Sequence, residues 1–191
     1  MFKRLLLTGP LVFALALAIP AHADTILYSA ILLGSNEVPP TGSPATGTGL
    51  FTLNGNLLTI NETFTGLTTP ANAAHIHCCG PVGVNEMVAV PFTPFPNTTS
   101  GTFNATVDLS LAATYTPGFI TQEGGTVGLA EAGLIAALNS GNTYANIHNP
   151  TFPGGEIRGQ IAFQSPEPSS LLLFGTGLLA TVQVVRRRIR T

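Results

Sequence analysis

Leu50-Phe51-Thr52-Leu53-Asn54-Gly55-Asn56-Leu57-Leu58-Thr59-Ile60-Asn61-Glu62-Thr63-Phe64 places two apolar runs on either side of a short glycine-containing loop. It is the best hairpin signal in the chain. Outward from it the pattern repeats. Residues 25–33 read as a first strand, ended by Gly34-Ser35-Asn36-Glu37 and the Pro39-Pro40 pair, and residues 74–78, 87–92, 102–109, 144–148 and 156–163 continue the series. Alternation is cleanest in 102–109, where Phe103, Ala105, Val107 and Leu109 face one way and Thr102, Asn104, Thr106 and Asp108 the other. One stretch departs from it. Residues 126–138 carry Ala130, Leu134, Ala137 and Leu138 at helical spacing, with residues 139–141 as a C-cap, while Gly128 and Gly133 leave that helix dependent on packing. No fixed-period repeat is present, which argues against a solenoid or propeller. The expected fold is mainly β: an antiparallel, Greek-key-like β-sandwich of two packed sheets with one short helical crossover.

The two ends have a different character. Lys3 and Arg4 precede an apolar run over residues 5–19, followed by Pro20 and Ala21-His22-Ala23. That order of charge, apolar core and small residues predicts a signal peptide, residues 1–23, cut by signal peptidase after Ala23 with Ala21 and Ala23 at the cleavage site. The alternative, a buried first helix, leaves Lys3 and Arg4 unexplained. At the other end Pro166-Glu167-Pro168 precedes an uncharged stretch, residues 169–185, and then Arg186, Arg187, Arg188 and Arg190. About 17 residues is the short limit for a helix crossing a hydrocarbon core. The arginines place the far end in the cytoplasm, and hence the domain on the periplasmic side.

Residues 24–164 form the remaining unit, about 140 residues, enough for one core. Between Asp24 and Ser165 there are eight acidic residues and one basic residue, Arg158, a net charge of −7 against −2 for the whole chain. Such a domain has no electrostatic means of holding phosphate backbones, so nucleic acid is excluded as a partner. Anionic lipid would repel it.

The candidate chemistry lies in few residues. On a strand His75 and His77 project together, about 7 Å apart, while Ile76 and Cys78 point the other way. Two imidazoles on one face are half of a site for Cu²⁺ or Zn²⁺. His148 is the other histidine of the domain, and Cys79 shares the His face if the strand continues. The competing reading is structural: His75, His77 and His148 bond to strand-end backbone or to carboxylates such as Glu86 and Glu156. Cys78 and Cys79 are the only cysteines, in an oxidising compartment. A strained vicinal disulfide that stiffens the loop is the expected state, with free thiols beside a metal and an intermolecular bridge as the alternatives. Arg158 shares its side of the last strand with Glu156 and Gln160. It reads as an ion pair or carbonyl clamp tying that strand to the Glu37 region, with a substrate-binding role the alternative. No Gly-x-Ser-x-Gly elbow, phosphate loop or zinc-peptidase motif is present, so the expectation is a non-catalytic module, with metal-dependent redox activity as the alternative.

Two resemblances go further. Residues 165–190, with the Pro-Glu-Pro triplet, the span and the arginine cluster together at the C-terminus, resemble the PEP-CTERM sorting signal of bacteria that make exopolysaccharide. That resemblance implies an exosortase-type peptidase as partner, anchoring through residues 169–185 before processing, and release to the cell surface or extracellular matrix, where exopolysaccharide or an envelope protein is the expected contact. A plain tail anchor is the alternative. The blocks Leu33-Gly34-Ser35-Asn36-Glu37-Val38-Pro39-Pro40, Ala74-His75-Ile76-His77, Tyr144-Ala145-Asn146-Ile147-His148 and Pro153-Gly154-Gly155-Glu156-Ile157-Arg158-Gly159-Gln160 resemble the CHRD domain, first described in chordin, over residues 26–163. The departure is Cys78-Cys79-Gly80-Pro81, where many members have only a Gly-Pro loop. The resemblance implies a secreted domain, associated in animals with growth-factor binding. The His-x-His strand is also locally similar to that of copper-zinc superoxide dismutases, but lacks a second ligand cluster of His and Asp.

Overall fold

In the computed structural model, residues 25–164 are described. The expected signal peptide with Ala21 and Ala23, the Pro166-Glu167-Pro168 motif and the span over 169–185 lie outside them. Among the described residues no helix is long and apolar enough to cross a membrane.

Within the described residues nine strands and two α-helices run in the order β1 (Ile26–Leu33), β2 (Thr46–Asn54), β3 (Leu57–Thr65), β4 (Ala73–Cys78), β5 (Met87–Pro91), β6 (Gly101–Asp108), α1 (Pro117–Gln122), α2 (Val127–Ser140), β7 (Thr143–His148), β8 (Ile157–Gln160) and β9 (Ala162–Gln164). All pairings among them are antiparallel. The fold is therefore mainly β, as expected, but the strands join one sheet rather than two, in the order β5-β4-β7-β8-β1-β2-β3-β6, with β9 beside β1.

The sheet curls until its two edges meet. Phe92, just past β5, stacks on Phe103 of β6 with ring centroids 5.0 Å apart, and Phe95 sits 5.3 Å from Phe64 and 5.5 Å from Phe103. Leu67 and Ala71 donate to the carbonyls of Thr99 and Thr98 at 3.0 and 2.9 Å, which ties the β3–β4 connection to the segment entering β6. Aromatic pairs of this kind add about 0.5–1.5 kcal/mol each beyond their area, so the seam is held by side chains where the hydrogen-bond ladder stops.

The core lies inside the curl, and strand periodicity fills it. Tyr28, Ala30 and Leu32 of β1, Phe51 and Leu53 of β2, Leu58, Ile60 and Phe64 of β3, and Ile76 of β4 are all buried. The helix α2 adds Ala130, Leu134, Ala137 and Leu138, the positions expected from its spacing. Thr126 caps its start by accepting from the Leu129 N–H, and Gly141, at φ 71°, ends it in the left-handed conformation that glycine adopts most cheaply. A second helix was not expected. Thr116, which accepts from the Phe119 N–H, and Pro117 at the first position start α1 over Met87–Pro91.

The last strand also differs from expectation. It divides at Ile161, whose N–H makes the next rung of the β7 ladder to the carbonyl of Thr143; both pieces keep one register with β1, and Ile157–Gln160 pairs with β7 as well while Ala162–Gln164 pairs with β1 alone. Glu156 precedes the strand.

Strands β4, β7 and β8 have two covered faces. One is core: Ala74, Ile76, Ala145, Ile147 and Ile157. The register His75↔Asn146↔Arg158 and His77↔Tyr144↔Gln160, with Ala73↔His148 at the edge, assembles a polar row on the other. Burial of β7 on both faces follows from this second layer.

Candidate metal centre

Three histidines meet on that polar face. One ring nitrogen each from His75, His77 and His148 lies within 4.8 Å of the other two. Among the described residues this is the one group of three or more His, Cys, Asp or Glu side chains so placed. Zn–N and Cu–N bonds of about 2.0–2.1 Å put ligand nitrogens roughly 3–4 Å apart, so the rings stand near ligating distance.

Main-chain carbonyls fix the state of two rings. His77 Nδ1 donates to the Glu86 carbonyl at 2.7 Å, and His148 Nδ1 donates to the Pro153 carbonyl at 3.0 Å. A carbonyl only accepts, so the proton of each neutral ring sits on Nδ1 and the lone pair on Nε2. Outer hydrogen bonds to carbonyls are what orient metal-binding imidazoles. Burial pushes His75 and His77 down to about 4, with their neighbouring imidazoles adding to the effect, and it also lowers His148 against the opposing pull of the Pro153 carbonyl. All three are neutral at pH 7, the form that ligates.

The fixed rings stand in an aromatic and cationic frame. Tyr144 stacks on His77 at 4.6 Å with the rings nearly parallel, and its hydroxyl accepts from the Glu86 N–H at 3.1 Å. Arg158 Cζ lies 3.3 Å from the Tyr144 ring centroid. Its guanidinium donates to Asn85 Oδ1 at 2.8 Å and to the Val84 carbonyl, while Asn85 Nδ2 donates to the Val38 carbonyl at 2.8 Å. Arg158 is 2 % exposed. It is therefore a carbonyl clamp, but on the 79–86 loop; the expected link to the Glu37 region runs through Asn85.

Glu37 is 4 % exposed, and its Oε1 has no hydrogen-bond partner. Burial pushes its carboxyl up to about 7, against the pull of the Arg158 charge, the Asn146 amide and the Val38 N–H. Room for it comes from Gly155, at φ 119°. A Cβ there would stand 2.3 Å from Glu37 Oε1 and 2.7 Å from Asn146 Nδ2.

The remaining candidates lie outside the cluster. Glu156 is fully buried but faces Ser43, the Thr68 N–H and Asn149, not a histidine. Glu86 meets His77 through its main chain, not its carboxylate. Cys79 is not available as a ligand, because its sulfur is joined to Cys78 in a vicinal disulfide with Cα atoms 3.1 Å apart across a cis peptide. Sequence reading missed Asn146, whose Oδ1 is 2.9 Å from His148 Nε2. The period-2 relation of Asn146 to His148 already puts both on one face.

Each block named for the CHRD resemblance reaches this face: Glu37 from the first, the His-x-His strand, Tyr144 to His148, and Arg158. Comparison with family models agrees. The CHRD domain model matches residues 28–161, and the PEP-CTERM protein-sorting motif matches residues 166–188. The chain belongs to the CHRD domain family. Its sorting motif implies export, transient membrane anchoring and processing by an exosortase-type peptidase. No curated protein and no solved structure matches in the corresponding comparisons.

Proposed function

We propose that the domain is a non-catalytic, surface-displayed module that binds one divalent metal ion, Cu²⁺ or Zn²⁺, through His75, His77 and His148. The carrying observation is that two of the rings have their Nδ1 protons tied to carbonyls, which leaves bare Nε2 atoms facing one small space. A merely structural histidine pair spends its second nitrogen on a partner, yet His77 Nε2 is buried and has none. Neutral imidazoles suit both metals. The test is calorimetric titration of residues 24–164, whose strands and core are complete between Ile26 and Gln164. One ion per chain is expected, with stabilisation of about 2.7 kcal/mol when free metal stands at 100 times Kd. His77→Ala is expected to weaken binding roughly 100-fold and, at the same metal concentration, to cut that stabilisation to about 0.4 kcal/mol. Metal bound equally well by His77→Ala would defeat the proposal.

A second reading concerns how the released domain holds to its surroundings, and a different surface favours it. The outward face of β1, β2, β3 and β6 carries Ser29, Thr46, Thr48, Thr52, Thr59, Asn61, Thr63, Thr65, Thr102, Asn104 and Thr106, with Leu27, Ile31 and Leu50 exposed between them. The one charge on this face is Asp108 at its rim, opposite Leu57 at the end of β6, although the domain is acidic. Thr48–Thr63, Thr59–Thr106 and Thr65–Ser100 hydroxyl pairs at 2.8, 2.9 and 3.1 Å hold the ladder in fixed rotamers. Pre-ordered hydroxyls lower the entropy cost of gripping a neutral polysaccharide. Co-sedimentation with an insoluble neutral glucan checks this. The native domain is expected in the pellet, and Thr63→Lys/Asn104→Lys is expected to reduce the bound fraction at least fivefold without changing Tm. An unchanged pellet would sink the idea.

A further inference from the structure

Acceptors outnumber protons around the histidine cluster. With Nδ1–H of His77 and His148 spent on carbonyls, the lone pairs facing inward are His77 Nε2 and His148 Nε2. Asn146 Oδ1 approaches His148 Nε2 to 2.9 Å, and His75 Nδ1 approaches it to 3.2 Å. The His75 contact is satisfied if that nitrogen holds a proton. The Asn146 contact is not, because an amide oxygen and a bare imidazole nitrogen are both acceptors. With Glu37 ionised, flipping the amide moves the conflict without removing it. Nδ2 would then serve His148, and Oδ1 would replace it beside Glu37 Oε1, which is itself buried and unpartnered. In either orientation the cluster lacks a positive centre, and a buried acceptor left unmatched costs about 1–3 kcal/mol.

Resting on the metal-site reading above, we propose that Asn146 Oδ1 is the fourth donor to the bound ion and that Glu37, held behind the Asn146 amide, is the carboxylate that balances its charge. Three imidazoles and an amide oxygen are all neutral, so the ion keeps its full +2 in a buried setting. Glu37 is the nearby acid with an orphaned oxygen, and its Oε1 lies with Asn146 Nδ2 over Gly155, so the amide turns its nitrogen to Glu37 and its oxygen to the rings. The first coordination shell is then N₃O, a donor set that copper(II) takes in tetragonal form. Gly155 belongs to the same device. With any larger residue Glu37 Oε1 and Asn146 Nδ2 lose the space in which they lie together.

Copper(II) titration of residues 24–164, read by isothermal calorimetry and electron paramagnetic resonance, tests it. Native protein is expected to give a single signal with coupling to three nitrogens. Asn146→Ala is expected to bind 10-fold or more weakly, with altered g and copper hyperfine values and the three-nitrogen pattern retained. Asn146→Asp, which keeps the oxygen, restores native affinity or exceeds it. Glu37→Gln lowers affinity several-fold but leaves the spectrum unchanged, as expected of a group outside the first shell. If native protein takes up copper and Asn146→Ala matches it in affinity and spectrum, Asn146 is not a ligand and the inference falls while the three-histidine site stands. If native protein takes up no copper, both fall. Should Asn146→Ala not fold, Asn146→Asp decides instead, and binding weaker than native would remove the oxygen donor.

Discussion

Glu62→Gln is expected to leave stability nearly unchanged at pH 4 and to raise it by on the order of 3–5 kcal/mol at pH 9, measured as the free energy of urea unfolding. Glu62 follows Leu58 and Ile60 along the inward face of β3, is fully buried, and neither carboxylate oxygen has a hydrogen-bond partner. Burial alone raises its pKa from 4.5 to about 8. The sign follows from proton counting. Between those two values the unfolded chain has released the proton while the folded chain keeps it, so stability falls as pH rises across that window and levels off above about pH 8. Glutamine keeps the shape and removes the proton, so the difference between the two curves isolates Glu62 from Glu37, His75 and His77, which also titrate in this range. A gain from Glu62→Gln that did not grow from pH 5 to 8 would mean that Glu62 has a partner in solution.

The second large effect belongs to Arg158. Arg158→Met keeps much of the aliphatic volume but loses the donors to Val84 and Asn85 and the cation over Tyr144. It is expected to destabilise the fold by about 3 kcal/mol at pH 8. The cost is expected to be smaller at pH 5. Arg158 pulls the Glu37 pKa down, so without it Glu37 climbs above about 7 and is charged only at greater cost, a penalty that vanishes once the carboxyl is protonated. Unfolding at both pH values, with Glu37→Gln as the second arm of a double-mutant cycle, checks the coupling. Equal losses at pH 5 and pH 8 would show that the clamp acts on the loop alone.

Much of this fold was legible in the chain because strands with one dry face announce themselves. The alternation of Phe103 and Leu109 with Thr102 and Asn104, and the hairpin around Gly55, placed β2, β3 and β6 within a few residues. The four residues missed at the start of β2 include Gly47 and Gly49, which have no side chain to alternate. How sheets join is another matter. The curl rests on Phe64, Phe92, Phe95 and Phe103, which lie in separate segments and show no local pattern tying them together. The site divides along the same line. His75 and His77 share a face by period alone, whereas His148 joins them through the Ala73↔His148 register, a long-range pairing. Arg158 was recognised as a clamp, but its partners sit on a loop whose course only packing decides. Glu62 was readable and was missed: spacing from Ile60 and Phe64 already turned it inward.

The first and last strands of the domain lie side by side, with Leu27 opposite Gln164, whereas Leu33 lies opposite Arg158. Six residues of strand separate those two levels, roughly 20 Å. Both ends of the described residues thus lie at one pole and the imidazoles crowd toward the other. The imidazoles are thereby kept well away from the strand end that leads on toward the sorting motif, so an ion could reach them without passing that junction.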